Sequence, residues 1–421
     1  MKVWLFSVGE PLPIDDAHPR LLRAGTFTKM LTERGIDVVW WTSNFQHGDK
    51  TKKFADTTAV QVNDRLKLWC LNSREYRRNL SIERILANRD LASEFRKYAK
   101  FETPPDVIVA CYPVPELAAA AADYARANNI PSVLDIRDLW PDIWPTVVPR
   151  PLQAAAHLAL LPFYWQSRYI IRKFDRICAV SDEIVTWGIK RGGLGPEHIG
   201  KGFPQGYPMS TYSDDQLREA RSFWSHKIDL DRNPGLRVCF FGSISQKRVR
   251  FDVMVNAARL LPADVRGRVQ MIICGRGDAL ADLQKLGHGI PDLEFPGWVN
   301  GPQLQVLAES ADAGLLPYAS HVDFRRALPT KAIEYLAFGL PILTSLQGLA
   351  TDLIQTEECG VLYRETDPRD LARVIVELVK DPAQVKRLSE NAKRVFHERF
   401  LATTVYGKFA DYVTDLATCR R

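Results

Sequence analysis

The sequence predicts an α/β protein made of two doubly wound domains, on three observations. Short apolar runs rich in Val, Ile, Leu, Trp or Cys alternate with helical patterns along all 421 residues. Six such runs fall in each half of the chain, and the stretch between the halves, about 201–234, has no strand periodicity. Continuous apolar strands joined by helices imply parallel sheets covered on both faces. A chain of this length supplies two or three domains with sizeable cores.

The first half carries strand patterns at 2–7, 37–42, 66–71, 106–111, 132–135 and 175–180, with helical patterns between them, as at 23–34 and 116–128. The second half repeats the rhythm at 236–241, 269–274, 292–295, 313–316, 341–344 and 360–363. Between them, Gly202-Phe-Pro-Gln-Gly-Tyr-Pro208 is turn-rich, 214–226 reads as a polar helix and 229–235 as a linker, so the domain boundary is placed at 210/211. The stretch 383–418 reads as two helices broken near Phe400.

Composition narrows the class. The chain is 46% hydrophobic and 25% charged, as expected of a soluble globular protein, and no run of eighteen apolar residues suggests a membrane span. The opening Met1-Lys-Val-Trp-Leu-Phe-Ser-Val-Gly9 is too short for a signal peptide and reads as a strand ending in a glycine turn. Of seven cysteines, Cys70, Cys111, Cys178, Cys239 and Cys274 lie in strand-like runs without CxxC spacing, which fits small core residues in a reducing cytosol. The net charge, 56 − 50 = +6, suits an anionic partner such as a nucleotide, a pyrophosphate lipid or an anionic membrane surface. A basic stripe with interleaved aromatics is missing, so nucleic acid is not the expected partner. So are GxSxG, HExxH, the Walker loop and paired-histidine spacing, and neither a nucleophilic triad nor a bound metal is expected.

Ligands of doubly wound sheets bind beyond the carboxyl ends of the strands, so the loops after strands hold the candidate residues. The segment Arg326-Ala-Leu-Pro-Thr-Lys-Ala-Ile-Glu334 begins a helix at Pro329, and Gly339 with Pro341 ends it. Lys331 and Glu334, three apart, share a face near the helix N-terminus. There the N–H groups and a lysine suit a diphosphate, and a carboxylate one turn on suits a ribose diol; the plain alternative is a surface ion pair. Gly242 and Ser243 follow the first strand of the second half, and Lys247, Arg248 and Arg250 precede the next helix, as a diphosphate clamp or as a solvated basic loop. Gly275-Arg276-Gly277 offers backbone approach to a base or a simple turn. Trp298, after Gly297, flanks a base or fills a core gap.

In the first half, Asp135, Arg137 and Asp138 crowd a strand end in Ser132-Val-Leu-Asp-Ile-Arg-Asp-Leu-Trp-Pro141, where they pair with one another or meet a ligand. His18, Arg20 and Arg23 follow the turn at Gly9 and are placed to touch a sugar or an acceptor phosphate; His47 also follows a strand. The stretch 151–173 is apolar and aromatic with basic residues at its end, which suits either a membrane interface or a helix packed on the sheet.

Leu328-Pro-Thr-Lys-Ala-Ile-Glu-Tyr-Leu-Ala-Phe-Gly-Leu-Pro-Ile342 resembles the donor-nucleotide segment of retaining family 4 glycosyltransferases of the GT-B fold. Phe241-Gly-Ser, Val180-Ser, Arg23-Ala-Gly and Trp41-Thr-Ser-Asn-Phe are similar to other strand ends of that family, and Arg137-Asp-Leu-Trp-Pro141 to bacterial members that build surface polysaccharides. The resemblance spans nearly the whole chain. It implies two Rossmann-like domains facing a cleft, with 1–210 binding the acceptor, 211–400 the donor, and 401–421 packing back on the first. It implies that Glu334 binds the donor ribose, that N–H groups of Leu328, Pro329-Thr330 and Lys331 hold the diphosphate, and that Lys247 or Arg248 stabilises the leaving phosphate. Gly275 to Gly277 and Trp298 would surround the base, with Asp138 in a catalytic role and His18, Arg20, Arg23 and Arg137 on the acceptor side. The family's first glutamate falls at Arg326 here, with Asp323 nearby. The implied substrates are a UDP- or GDP-sugar and a glycan or polyprenyl-diphosphate-linked acceptor, without cofactor or metal, in the cytoplasm or at the inner face of the membrane. Two other readings stay open: a non-hydrolysing sugar-nucleotide 2-epimerase of the same fold, and a non-catalytic nucleotide-binding protein.

Overall fold

The computed structural model describes the chain except for residues 16–20, 48–49, 79–80, 196–199, 210, 231, 246–248, 320 and 419–421, and except for the side chains at 147, 322 and 323. The chain forms two compact units: Met1–Gly206 with Val405–Arg421, and Tyr207–Thr404.

The first unit is built on an eight-stranded sheet. Its spatial order is Gly200–Gly202, Arg176–Ala179, Ser132–Ile136, Val107–Tyr112, Lys2–Phe6, Asp37–Ser43, Leu66–Leu71 and Thr58–Asn63. Every pair is parallel except the last. The sequence reading had six strands here and missed both edges, for different physical reasons. Thr58–Asn63 is an antiparallel edge strand that alternates between half-buried and exposed residues, so it lacks the apolar run of its neighbours. Gly200–Gly202 has only three residues, two of them glycines held by close packing: a Cβ at Gly200 would stand 2.2 Å from Val185 Cγ1. The central strands carry an aromatic core in which Trp41 stacks on Trp69 at 5.5 Å and meets Trp4 edge-on at 5.2 Å.

The second unit carries six parallel strands in the order Leu293–Gly297, Val269–Arg276, Leu236–Ser243, Ala313–Leu316, Ile342–Thr344 and Gly360–Leu362. In sequence terms this is 3-2-1-4-5-6, and all six were legible as apolar runs. The order reverses between Leu236–Ser243 and Ala313–Leu316, which makes the carboxyl ends of these two strands the switch point where a ligand is expected.

The helix Ala402–Thr418 begins in the second unit and ends in the first, where Phe409 stacks on Phe27 at 4.3 Å and on Phe203 at 4.9 Å. The stretch 151–173 is two helices, Gln153–Ala159 and Leu161–Ile171, with Pro162 in the first turn of the second. Among the described residues no helix is long and apolar enough to cross a membrane.

Candidate functional site

At the switch point of the second unit, Leu236–Ser243 ends in Phe241-Gly242-Ser243, and Thr330–Ala337 forms a short helix beside it. The helix begins one residue later than expected, at Thr330, and Pro329 stands at the N-cap with ψ of 140°. Its carbonyl accepts from the Ala332 N–H at 2.9 Å, which closes the first turn of the helix. The helix stops where Gly339 takes φ of 71° and the Leu340 N–H reaches back to the Tyr335 carbonyl at 2.8 Å. Tyr335 fixes the helix to the sheet by donating its hydroxyl to the Leu315 carbonyl at 2.9 Å and packing edge-on against Phe241 at 5.0 Å.

Lys331 and Glu334 form an ion pair at 2.7 Å. The Glu334 carboxylate is 1% exposed, while Lys331 keeps a partly open ammonium 4.7 Å from the centre of the Phe241 ring. A Cβ at Gly242 would approach Lys331 Cε at 2.9 Å, so the glycine gives this side chain its room. A carboxylate so deeply placed needs a cation or several hydrogen-bond donors, and a buried pair of this kind adds little net stability.

Around this pair the other candidates separate. Lys247 and Arg248 lie outside the described residues. Arg250 is held by Asp252 at 2.9 and 3.0 Å, and its N–H donates to the Pro317 carbonyl at 2.6 Å, so the basic loop ends against the neighbouring strand of the switch point. Gly275 and Gly277 are required by packing: a Cβ there would stand 1.9 Å from the Gly242 carbonyl oxygen and 2.1 Å from that of Ile244. The plain-turn reading thus accounts for both, and together they draw the two strand ends close enough for an exposed Arg276 to follow. Trp298 does not fill a core gap. It is 57% exposed, with the Arg276 guanidinium 5.0 Å from its ring centre. Arg326 ends the short helix Val322–Arg326 just ahead of Leu328 and Pro329, and is half-buried. The side chain of Asp323 lies outside the described residues.

The corresponding strand ends of the first unit hold a different arrangement. Asp135 is fully buried and receives Arg23 through Nε at 2.9 Å and Nη2 at 2.8 Å, and Arg137 through Nε at 3.0 Å. Arg23 also donates to the carbonyls of Phe203 at 2.7 Å and Pro204 at 3.1 Å. Arg137 reaches Glu10 and, at 3.3 Å, the Ser7 hydroxyl. Burial pushes the Asp135 carboxyl up, but the two guanidiniums outweigh it and hold the group well below the usual carboxylate range. The Cys111 thiol beside it is pushed by burial up to about 12, which makes it a poor nucleophile. Arg23 is therefore a buried structural fork and has no open face for an acceptor phosphate. The partly open Arg137 is the member of this network that reaches the edge. Glu10, which accepts from the Ala24 N–H at 2.8 Å, was not singled out from sequence; an acid directly after the Gly9 turn was its signal.

Asp138 accepts from the Leu139 N–H at 2.7 Å and is half-buried. His18 and Arg20 lie outside the described residues. His47 bonds the Tyr76 hydroxyl through Nδ1 at 2.6 Å, and burial together with Lys50 and Arg84 lowers its pKa. Among the described residues no group of three or more His, Cys, Asp or Glu is gathered as a metal site would need.

Residues 235–381 match the family described as glycosyl transferases group 1, and this segment contains Gly242, Gly275, Gly277, Trp298, Lys331 and Glu334. The chain is 29% identical over 240 residues to a D-inositol 3-phosphate glycosyltransferase of Thermomonospora curvata, covering 54% of this chain and 53% of the relative. It is 26% identical over 187 residues to the amylovoran biosynthesis glycosyltransferase AmsK of Erwinia amylovora, covering 43% and 45%. The chain thus spans about half the length of the curated relatives it matches. Among solved structures, sucrose-phosphate synthase from Thermosynechococcus elongatus superposes with a TM-score of 0.73 at 16% identity, covering 99% of both chains. The fold is GT-B, with two Rossmann-like domains, and residues 235–381 are similar to the glycosyl transferases group 1 family.

Proposed function

We propose that the protein is a retaining glycosyltransferase that moves a sugar from a UDP- or GDP-sugar to a glycan or polyprenyl-diphosphate-linked acceptor in polysaccharide biosynthesis. The observation that carries this reading is the Lys331–Glu334 pair at the mouth of a helix N-terminus, at the switch point of a doubly wound sheet. The helix N–H groups receive the diphosphate. Lys331, given space by Gly242, swings its ammonium from Glu334 to a phosphate oxygen. The released Glu334 carboxylate then accepts the two ribose hydroxyls, so donor binding replaces one satisfied state by another. Trp298 and Arg276 offer a stacked, exposed platform for the base.

In the reaction the bond from the anomeric carbon to the diphosphate oxygen breaks, and a bond to the acceptor oxygen forms on the same face. The acceptor proton passes to the departing diphosphate. The protein's part is to align the two substrates and to stabilise charge on the leaving group through Lys331 and the basic loop at Lys247 and Arg248. No metal is required in this scheme because side-chain cations carry that charge. The enzyme works in the cytoplasm at the inner face of the membrane. The amylovoran relative favours a polysaccharide pathway.

A thermal-shift panel of UDP-, GDP- and dTDP-sugars tests the reading: one donor class should raise the melting temperature of the native chain and raise that of Glu334→Gln much less at the same concentration. The anomeric configuration of the product then tests retention. Absence of any shift together with absence of transfer would overturn the proposal, as would epimerisation of a sugar nucleotide without acceptor.

A further inference from the structure

The helix Leu161–Ile171 turns the wrong side outward for a soluble surface. Ser167, Ile170 and Ile171 are buried against the first unit, yet the outward face carries Leu161, Trp165 and Tyr169 at four-residue steps. Trp165 is 69% exposed and Tyr169 61%, and Leu158 on the preceding helix is 69% exposed. Leu152 and the exposed Ala154, Ala155, Ala159 and Pro162 extend the patch. Arg168 and Arg172 fall on the same arc of the helix as the apolar stripe, about 100° wide at 3.6 residues per turn. Lys173 lies 4.0 Å from the centre of the Tyr169 ring, its stem along the aromatic face.

Charge selects the occupant. None of residues 143–174 is Asp or Glu; Arg150, Arg168 and Arg172 are cationic and exposed, while Lys173 is paired with Asp123. Apolar and aromatic side chains flanked by exposed arginines are the pattern of a helix lying in the plane of an anionic bilayer surface, with Trp and Tyr at headgroup depth. A helix of eleven residues is too short to span the hydrocarbon core, so this face rests on the membrane. We propose that the outward face of 152–172 is a docking surface for anionic phospholipid, by which the first unit is held at a bilayer. This goes beyond the donor chemistry and is independent of it.

Flotation of the full chain with phosphatidylcholine vesicles, with and without phosphatidylglycerol, tests the proposal. The native chain should float with the anionic vesicles and stay in solution with the neutral ones. W165E/Y169E and R168Q/R172Q should each weaken that binding roughly tenfold or more, and added salt should weaken it further. If the first variant fails to fold, as its thermal melt will show, Leu158→Glu on the neighbouring helix replaces it. Equal flotation with neutral vesicles, no flotation at all, or a change from dimer to monomer in W165E/Y169E without any vesicle binding would each overturn the proposal.

Discussion

The two units meet the same topological problem at the carboxyl ends of their strands and answer it differently. In the first, Arg23, Asp135, Arg137 and Glu10 neutralise one another, with Arg137 keeping the most open side chain of the four. In the second, the backbone is stripped to glycine at Gly242, Gly275 and Gly277, and the Lys331–Glu334 ion pair stands at a helix mouth. The first edge spends its charges on the protein. The second leaves the Lys331 ammonium partly open. Burial alone does not separate the two, because Asp135 and Glu334 are both inaccessible. The chemistry of the partners does: Asp135 meets two guanidiniums fixed by further bonds, and Glu334 meets an ammonium on a flexible stem.

The largest expected effect breaks the first edge. Asp135→Ala leaves two buried guanidiniums without their shared carboxylate and should cost about 3–5 kcal/mol in urea unfolding of the first unit. Its pH dependence has a definite sign. The folded pKa of Asp135 is depressed, so its contribution is complete above the unfolded value near about 3.9 and is lost as pH falls below that toward the folded pKa. The stability gap between the native chain and Asp135→Asn should therefore be the same at neutral and mildly acid pH and narrow only in strong acid. A constant gap throughout would remove the ion pairs as its cause.

Next is Gly275→Ala, which sets a methyl group 1.9 Å from a backbone oxygen at φ of 155° and should cost about 3 kcal/mol in the second unit. Scanning calorimetry resolving two transitions would show only the second one falling. Glu334→Gln should weaken donor binding by about 2 kcal/mol, read by calorimetric titration, while leaving the melting temperature of the ligand-free chain nearly unchanged. An equal loss of ligand-free stability would make Glu334 another Asp135. The smallest change is Trp298→Ala. With the ring mostly in solvent, stability should move within about 0.5 kcal/mol, and the discrimination among donor bases should fall. Unaltered base preference would leave Trp298 as surface.

The difference between the edges also marks what the sequence could disclose. The six strands of the second unit are apolar runs bounded by turns, and its glycines and Lys331–Glu334 pair are local in sequence, so the reading found them. The network of the first unit joins residues separated by 112 and 127 positions, and nothing local distinguishes Arg23, which pairs with Asp135, from an arginine that meets a phosphate. The edge strand Thr58–Asn63 was missed because one of its faces is wet, and Gly200–Gly202 because three residues carry no period. Trp298 was ambiguous because a tryptophan after a glycine turn has the same pattern whether it packs inward or stands out.

The first unit is closed by residues 405–418, which follow the entire second unit in the chain. During synthesis residues 1–206 emerge before the second unit, but Phe27 and Phe203 wait for Phe409, 203 residues beyond Gly206. The second unit is complete before the first. The first unit then matures after the second, and a ribosome stalled within Ala402–Thr418 would hold a finished second unit attached to an unfinished first.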